Sequence, residues 1–403
     1  MTEDLNYRTY FTLLCICCAV VFGCYFGTYM RMPVVPLYAV TLGAGTVQVG
    51  LINAAFLLMA GVLSVPLGLV SDRLGAKFTA GVGVLILSAS SFLVCISHTP
   101  GQLILIYLFS GVGLAAFGPT IMAFVANISP PTHLGRAYGW YTTALYSGMT
   151  LGPAVGGFVA HGAGYPLTFF ISGLSIFATF WVLIFFLPSS RPGPKSSPPP
   201  ARATLVMVGA LLHNRPLLGC WLGTLGGCFG LGLFLTFLPL HAENQGLNVR
   251  QIGLVFATQG ILNVLSRIPF GHLSDRAANR GWLAAAGLLG VAGSIAALGL
   301  AGPVVYFILS AAALGASMGL AFTSIGALTA EAAPPEFRGL AMGGYNAAIY
   351  LGMMLSSALM GPVIGRLGFT DGFLLTALID LVLLAGFYLL LRGFAQRQPS
   401  PVS

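Results

Sequence analysis

Charge is what this chain lacks. Only 9 of its 403 residues are Asp or Glu and 17 are Lys or Arg, so 6% are charged, against about 25% in a soluble domain. A chain this poor in charge cannot cover its own surface in water, which excludes a soluble globular protein. With 57% hydrophobic residues and a mean hydropathy of +0.92, it reads as an integral membrane protein. The net charge of +8 is scattered singly over short turns, so no nucleic-acid partner is expected; the pattern fits the bias of Lys and Arg toward cytoplasmic loops. The seven cysteines, Cys15, Cys17, Cys18, Cys24, Cys95, Cys220 and Cys228, all lie in apolar runs. Cys15-Ile-Cys17-Cys18 has no histidine or second pair close by, so it reads as small helix residues rather than metal ligands, and no metal or cofactor is expected. The absence of a clustered nucleophile and base argues against an enzyme. The absence of a sizeable soluble segment argues against a membrane sensor. Residues 1–10 are polar and the run after them is too long for a leader core, so the first helix is expected to be retained.

Long apolar runs are abundant. At about 20 residues per crossing, spans fall at 11–40, 47–70, 78–97, 102–128, 136–161, 166–188, 216–242, 250–273, 281–300, 304–331, 339–365 and 372–392. Twelve is even, so both termini share one side. Arg8, Arg73, Lys77, Arg136, Arg191, Lys195, Arg202, Arg215, Arg276, Arg280, Arg338, Arg392 and Arg397 lie on that side; Arg250 and Arg366 lie on the other. The positive-inside rule makes the richer side cytoplasmic. The expected domains are an N-terminal six-helix bundle (1–188), a cytoplasmic proline-rich linker (189–215) and a C-terminal six-helix bundle (216–403). The linker is expected to be extended over 189–200, with a short surface helix at 203–213.

The halves repeat. Gly68-Leu-Val-Ser-Asp72-Arg73-Leu-Gly75-Ala-Lys77 returns 203 residues later as Gly271-His-Leu-Ser-Asp275-Arg276-Ala-Ala-Asn-Arg280. Pro36-Leu-Tyr-Ala39 returns as Pro239-Leu-His-Ala242, Gly50 as Gly253 and Pro66 as Pro269. After one added residue, Pro130-Pro131 returns as Pro334-Pro335 and Tyr146 as Tyr350. Parallel repeats of six helices imply a pseudo-two-fold axis along the membrane normal, with a ligand site between the halves near the midplane.

The repeats and the Gly-x-x-x-Asp-Arg-x-Gly-x-Lys loop resemble the major facilitator superfamily over essentially the whole chain. Gly148-Met-Thr-Leu-Gly152-Pro153-Ala-Val-Gly156-Gly157 resembles the Gly-Pro motif of its twelve-helix drug/proton antiporter branch. The resemblance implies an all-α fold of twelve transmembrane helices and transport by alternating access. It implies that Asp72, Arg73 and Lys77 gate the cytoplasmic side against the eleventh helix and Arg338, and that Asp275, Arg276 and Arg280 do so against the fifth helix and Arg136. Glu331 is expected to pair with Arg338 or Arg136. Gly148, Gly152, Gly156 and Gly157 permit close helix approach, and Pro153 kinks its helix.

Two positions depart from that branch. Tyr29 stands where the first helix of the antiporters carries an acid, and Tyr107 where the fourth helix carries arginine. Instead Arg31 and Arg267 lie inside apolar helices, which makes each a candidate functional group. Tyr29 and Arg31 point to nearly opposite sides at about 100° per residue. The expected cavity residues are Tyr25, Tyr29, Arg31, Asn53, Tyr107, Phe117, Tyr146, Phe237, Gln259, Asn263, Arg267, Asn346 and Tyr350. Aromatics with amides and basic groups suit an amphipathic or anionic organic substrate. Candidate proton carriers are Glu243 with His241, at the outer end of the seventh helix, and Asp380 within the twelfth. The expected protein is a monomeric secondary exporter of a small organic molecule in a bacterial inner membrane, with the lipid bilayer and protons as its other partners. An organic-anion importer or a lipid or lysolipid transporter is the alternative.

Overall fold

The computed structural model describes residues 2–130, 133–188, 211–276, 279–334 and 338–392, with backbone alone for 2–9 and 275. The linker and most of the expected surface helix, Pro131, Pro335, Arg191, Lys195, Arg202 and Arg397 lie outside the described residues. Among those described there are helices and no strands. They are α1 (Thr2–Met30), α2 (Val34–Thr41), α3 (Thr46–Leu74), α4 (Ala76–Cys95), α5 (Pro100–Ile128), α6 (Leu134–Phe186), α7 (Arg215–Asn244), α8 (Val249–Arg276), α9 (Arg280–Gly299), α10 (Val304–Ala332), α11 (Arg338–Leu367) and α12 (Phe369–Leu391).

The first crossing, Tyr10–Thr41, spans α1 and α2. It breaks at Arg31-Met-Pro33, where the amides of Val34 and Val35 both bond the Arg31 carbonyl, at 3.1 and 2.9 Å. At the other extreme α6 runs for 53 residues, far more than the roughly 20 that cross a bilayer. It is two limbs joined at Gly164, whose φ of 82° and ψ of 170° are not helical. Counting both limbs, the 11 long apolar segments make twelve crossings among the described residues. The structure is that of an all-α multi-pass membrane protein.

The repeat is visible in backbone angles. Gly368, the counterpart of Gly164, has φ 89° and ψ 172° and separates α11 from α12 as Gly164 separates the limbs of α6. This region of backbone space is open essentially to glycine alone. Gly164→Ala should therefore cost about 1–3 kcal/mol. Gly162→Ala, with open space around its added carbon, should cost nothing; thermal melting of the two variants compares them directly.

By packing, the chain divides into two compact units, Met1–Lys195 with Gly246–Ala257, and Ser196–Gln245 with Thr258–Ser403. The start of α8 belongs with the first unit because Gly253 lies against α6. A β-carbon on Gly253 would sit 2.8 Å from the Pro153 carbonyl oxygen and 3.1 Å from the Gly157 α-carbon. This differs from the division at 215–216 expected from the apolar runs. Within the first unit α1 packs along α6, and both α3 and α4 pack on α5; within the second, α7 packs on α11 and α12, and α9 on α10 and α12. The same close approaches recur in both. Gly111 of α5 abuts the Phe56 carbonyl of α3, and its counterpart Gly315 of α10 abuts the Gln259 carbonyl of α8. Small residues let membrane helices approach until backbone meets backbone, where dispersion contacts rather than water expulsion hold them. Side chains on the outer faces, Val65, Phe185 and Ile268 among them, are exposed and apolar, as a lipid-facing surface requires.

Candidate functional site

Arg31 is the largest buried polar residue of the first unit, 1% exposed. It stands at the break after α1. Its Nη1 donates to Ser90 Oγ of α4 at 3.2 Å and its Nη2 to Ser110 Oγ of α5 at 2.5 Å. The guanidinium carbon lies 5.3 Å from the Tyr107 ring centroid. Arg31 is thus sealed inside the unit rather than reaching outward along the helix. It also occupies the neighbourhood of Tyr107, the position where the antiporter pattern has arginine. These partners are all neutral. The sequence holds no Asp or Glu between Asp4 and Asp72, nor between Asp72 and Lys195, so the first unit supplies no acid at the depth of this cation. A buried unpaired charge costs several kcal/mol; two hydroxyls and a ring face offset part of that. Ser90 and Ser110 were not among the expected site residues. Ser110 lies three residues after Tyr107, hence on the same helix face, and was the readable signal.

Further first-unit candidates form an aromatic group between α1 and α5. Tyr25 lies 6.1 Å from Tyr29 and 6.2 Å from Phe117 between ring centroids. Tyr25 and Phe117 are buried, Tyr29 half-buried. Asn53 is buried on α3 and Tyr146 half-buried on α6. The Gly-Pro motif lies on the backbone of α1. A β-carbon on Gly148 would come 2.7 Å from the Phe22 oxygen, and one on Gly152 2.6 Å from the Phe26 oxygen; Gly156 abuts the Met30 carbonyl. Gly157, one residue on, faces α8, 2.6 Å from the Val249 oxygen by the same measure. Pro153 is buried within α6.

In the second unit Asn263 is buried and its Oδ1 accepts from Arg267 Nε at 3.1 Å. Asn263 and Arg267 thus form a bonded pair along α8, with Arg267 half-buried. Gln259, one turn earlier, donates to Met318 Sδ. Phe237 is wholly buried, Tyr350 half-buried and Asn346 exposed. At the start of α9, Arg280 pairs with Glu331 and donates from Nε to the Ser274 carbonyl at 2.9 Å. Glu331, expected beside Arg338 or Arg136, pairs with Arg280, which begins α9 beside the end of α10.

The turn residues Asp72, Arg73 and Arg276 are exposed, as are Arg136 and Arg338, and Lys77 is half-buried. The side chain of Asp275 lies outside the described residues. Arg136 also lines a cavity of about 460 Å3 with Tyr10, Phe11, Leu14, His133 and Trp140.

The candidate proton carriers separate. Glu243 is exposed, whereas His241, two residues earlier, is 1% exposed. Its ring sits 5.2–5.7 Å from those of Phe307, Phe369 and Phe373, and its Nε2 lies 3.2 Å from the Leu298 carbonyl oxygen. Asp380 is 4% exposed and neither carboxyl oxygen has a hydrogen-bond partner. Among the described residues no group of three or more His, Cys, Asp or Glu could hold a metal ion.

Known proteins resemble this one along its length. An uncharacterized MFS-type transporter of Methanocaldococcus jannaschii is 24% identical over 87% of this chain and 90% of its own. The quinolone resistance protein NorA of Staphylococcus aureus is 26% identical over 62% of this chain, which spans 64% of NorA. Among solved structures, a bacterial homolog of the human lysosomal transporter Spinster, inward-facing and unoccupied, superposes with a TM-score of 0.77 at 16% identity, over 98% of this chain and 99% of that one. The nucleoside transporter NupG gives 0.81 at 14% identity, over 94% and 99%. A family model matches residues 17–292 and 242–403. With twelve crossings in two repeats and that match across its length, the chain belongs to the Major Facilitator Superfamily and is a membrane transporter, not an enzyme.

Proposed function

We propose that the protein is a secondary transporter that exports a small amphipathic or anionic organic molecule across the cytoplasmic membrane. It works by alternating access, and both termini face the cytoplasm. The observation that carries the anionic preference is Arg31, a buried guanidinium whose partners, Ser90, Ser110 and Tyr107, are all neutral. An arriving carboxylate supplies the charge that the first unit lacks. The ring group of Tyr25, Tyr29 and Phe117 suits a flat apolar body attached to that carboxylate. The name of NorA supports a quinolone, an aromatic acid, as the first compound to test.

Purified protein in liposomes, separated by orientation, should accumulate a quinolone acid from the cytoplasmic face. Accumulation from the opposite face alone would assign import instead. Asp72, exposed at the end of α3, serves the gate in this reading. Asp72→Asn should lower the transport rate about tenfold or more while quinolone binding, followed by fluorescence, is retained, since losing a charged helix-end contact in a closed state costs about 1.4 kcal/mol or more. Normal transport by this variant would remove the gating assignment.

A further inference from the structure

We propose that Asp380 is a proton-binding site of the second unit: a neutral carboxylic acid held in the groove between α7, α9 and α12, which exchanges its proton with water when that groove opens. Asp380 faces Gly230 of α7. The absent β-carbon there leaves room for the carboxyl, whose Oδ2 lies 2.5 Å from where that carbon would be, and Ile295 and Val291 of α9 close the same spot at 3.1 and 3.4 Å. Neither oxygen finds a donor. An ionised carboxylate without donor or cation in such a place costs many kcal/mol, and the group takes up a proton instead.

The internal repeat shows that the fold does not need an acid here. Gly23 of α1 faces Thr179 and Gly27 faces Ile176, both in the second limb of α6; in the second unit Gly226 faces Leu383 and Gly230 faces Asp380. The spacing is the same in both units, so Asp380 occupies the place of Ile176. A β-carbon on Gly27 would lie 2.5 Å from Ile176 Cγ1, the separation found for Gly230 and Asp380 Oδ2. An apolar side chain fills the groove in one repeat; a carboxyl without partners fills it in the other. Such a substitution lowers stability, and residues that do so persist chiefly where function requires them.

No neighbouring element brings a cation to the carboxyl among the described residues. On α7 the nearest titratable group is the Cys228 thiol. His241 lies eleven residues beyond Gly230, about 16 Å along the helix, inside its aromatic cage. On α9 nothing ionisable stands between Gly281 and Gly299, and Arg280 at its start is paired with Glu331. On α11, Arg338 and Arg366 lie at the two ends and are exposed, with Tyr345 and Tyr350 between. On α12 itself Asp371 and Tyr388 are nine and eight residues away, about 12–14 Å.

The site deepens the transporter reading by naming a proton as an ion the protein binds, yet its test needs no substrate, so its failure and a failure of the export assignment are distinguishable. Infrared spectra of the purified protein at neutral pH should show the carbonyl stretch of a protonated carboxylic acid. That band should be missing from both Asp380→Asn and Asp380→Ile, and in D2O it should move to lower frequency within minutes. Asp380→Ile, which restores the side chain of the other repeat, should also melt higher than the parent. The proposal is overturned by the absence of the band, by its survival in Asp380→Asn, or by a band that does not move after a day in D2O.

Discussion

Arg31→Met should fold, melt no lower than the parent, and lose discrimination between a quinolone acid and its methyl ester. Replacing a buried ion by an apolar side chain of similar length is often neutral or stabilising, because the desolvation cost of the charge disappears. Here the parent bears that cost with two serine hydroxyls and one ring face as its only compensation. A carboxylate held by a desolvated guanidinium loses about 3–5 kcal/mol when that partner is removed, which is about two to three orders of magnitude in affinity. The acid should therefore bind about a hundredfold or more weakly to the variant, while the neutral ester binds as before. Equilibrium binding of both compounds to the parent and the variant, with a melting curve for each, makes the measurement. Equal loss for acid and ester would make Arg31 a structural arginine joining α4 and α5 to the first crossing.

Gly156→Val should prevent the first unit from assembling. A β-carbon on Gly156 would run into the Met30 carbonyl, a backbone group that no side-chain rearrangement can move aside. The three added carbons must separate α6 from α1 along a seam that Gly148 and Gly152 continue at four-residue intervals. Overpacking a well-fitted contact costs about 1–3 kcal/mol and more where backbone must shift. The expected result is loss of the monodisperse peak in size-exclusion chromatography. Gly139→Val, on the same helix with open space around it, should behave like the parent. A normal elution profile for Gly156→Val would show that the seam can open.

The crossings and the repeat were readable because hydropathy and turn chemistry are local. Runs of apolar residues set the lengths, and Gly164 and Gly368 mark breaks that only glycine backbone can make. The break within the first crossing was not read, since Arg31-Met-Pro33 interrupts an apolar run without a polar turn. Arg31 was legible as an intramembrane charge, but its direction was not, because Ser90 and Ser110 come from helices 59 and 79 residues away. The pairing of Glu331 with Arg280 was not read for the same reason: several cations lie at that end of the chain, and only packing brings Arg280 to it. The vacancy at Gly230 was present in the sequence once the repeats were aligned, yet its meaning depended on which residue of α12 faced it.

Arg31 and Asp380 are not related by the duplication. Arg31 corresponds to Phe234 in the second repeat and Asp380 to Ile176 in the first, at offsets of 203 and 204 residues. An ancestor with identical halves could have carried both groups twice or neither. The present chain keeps one basic centre in its first half and one acidic centre in its second, so the halves have specialised while their backbones stayed alike. A tandem of two first halves would preserve the scaffold and yet possess no acid at that depth at all.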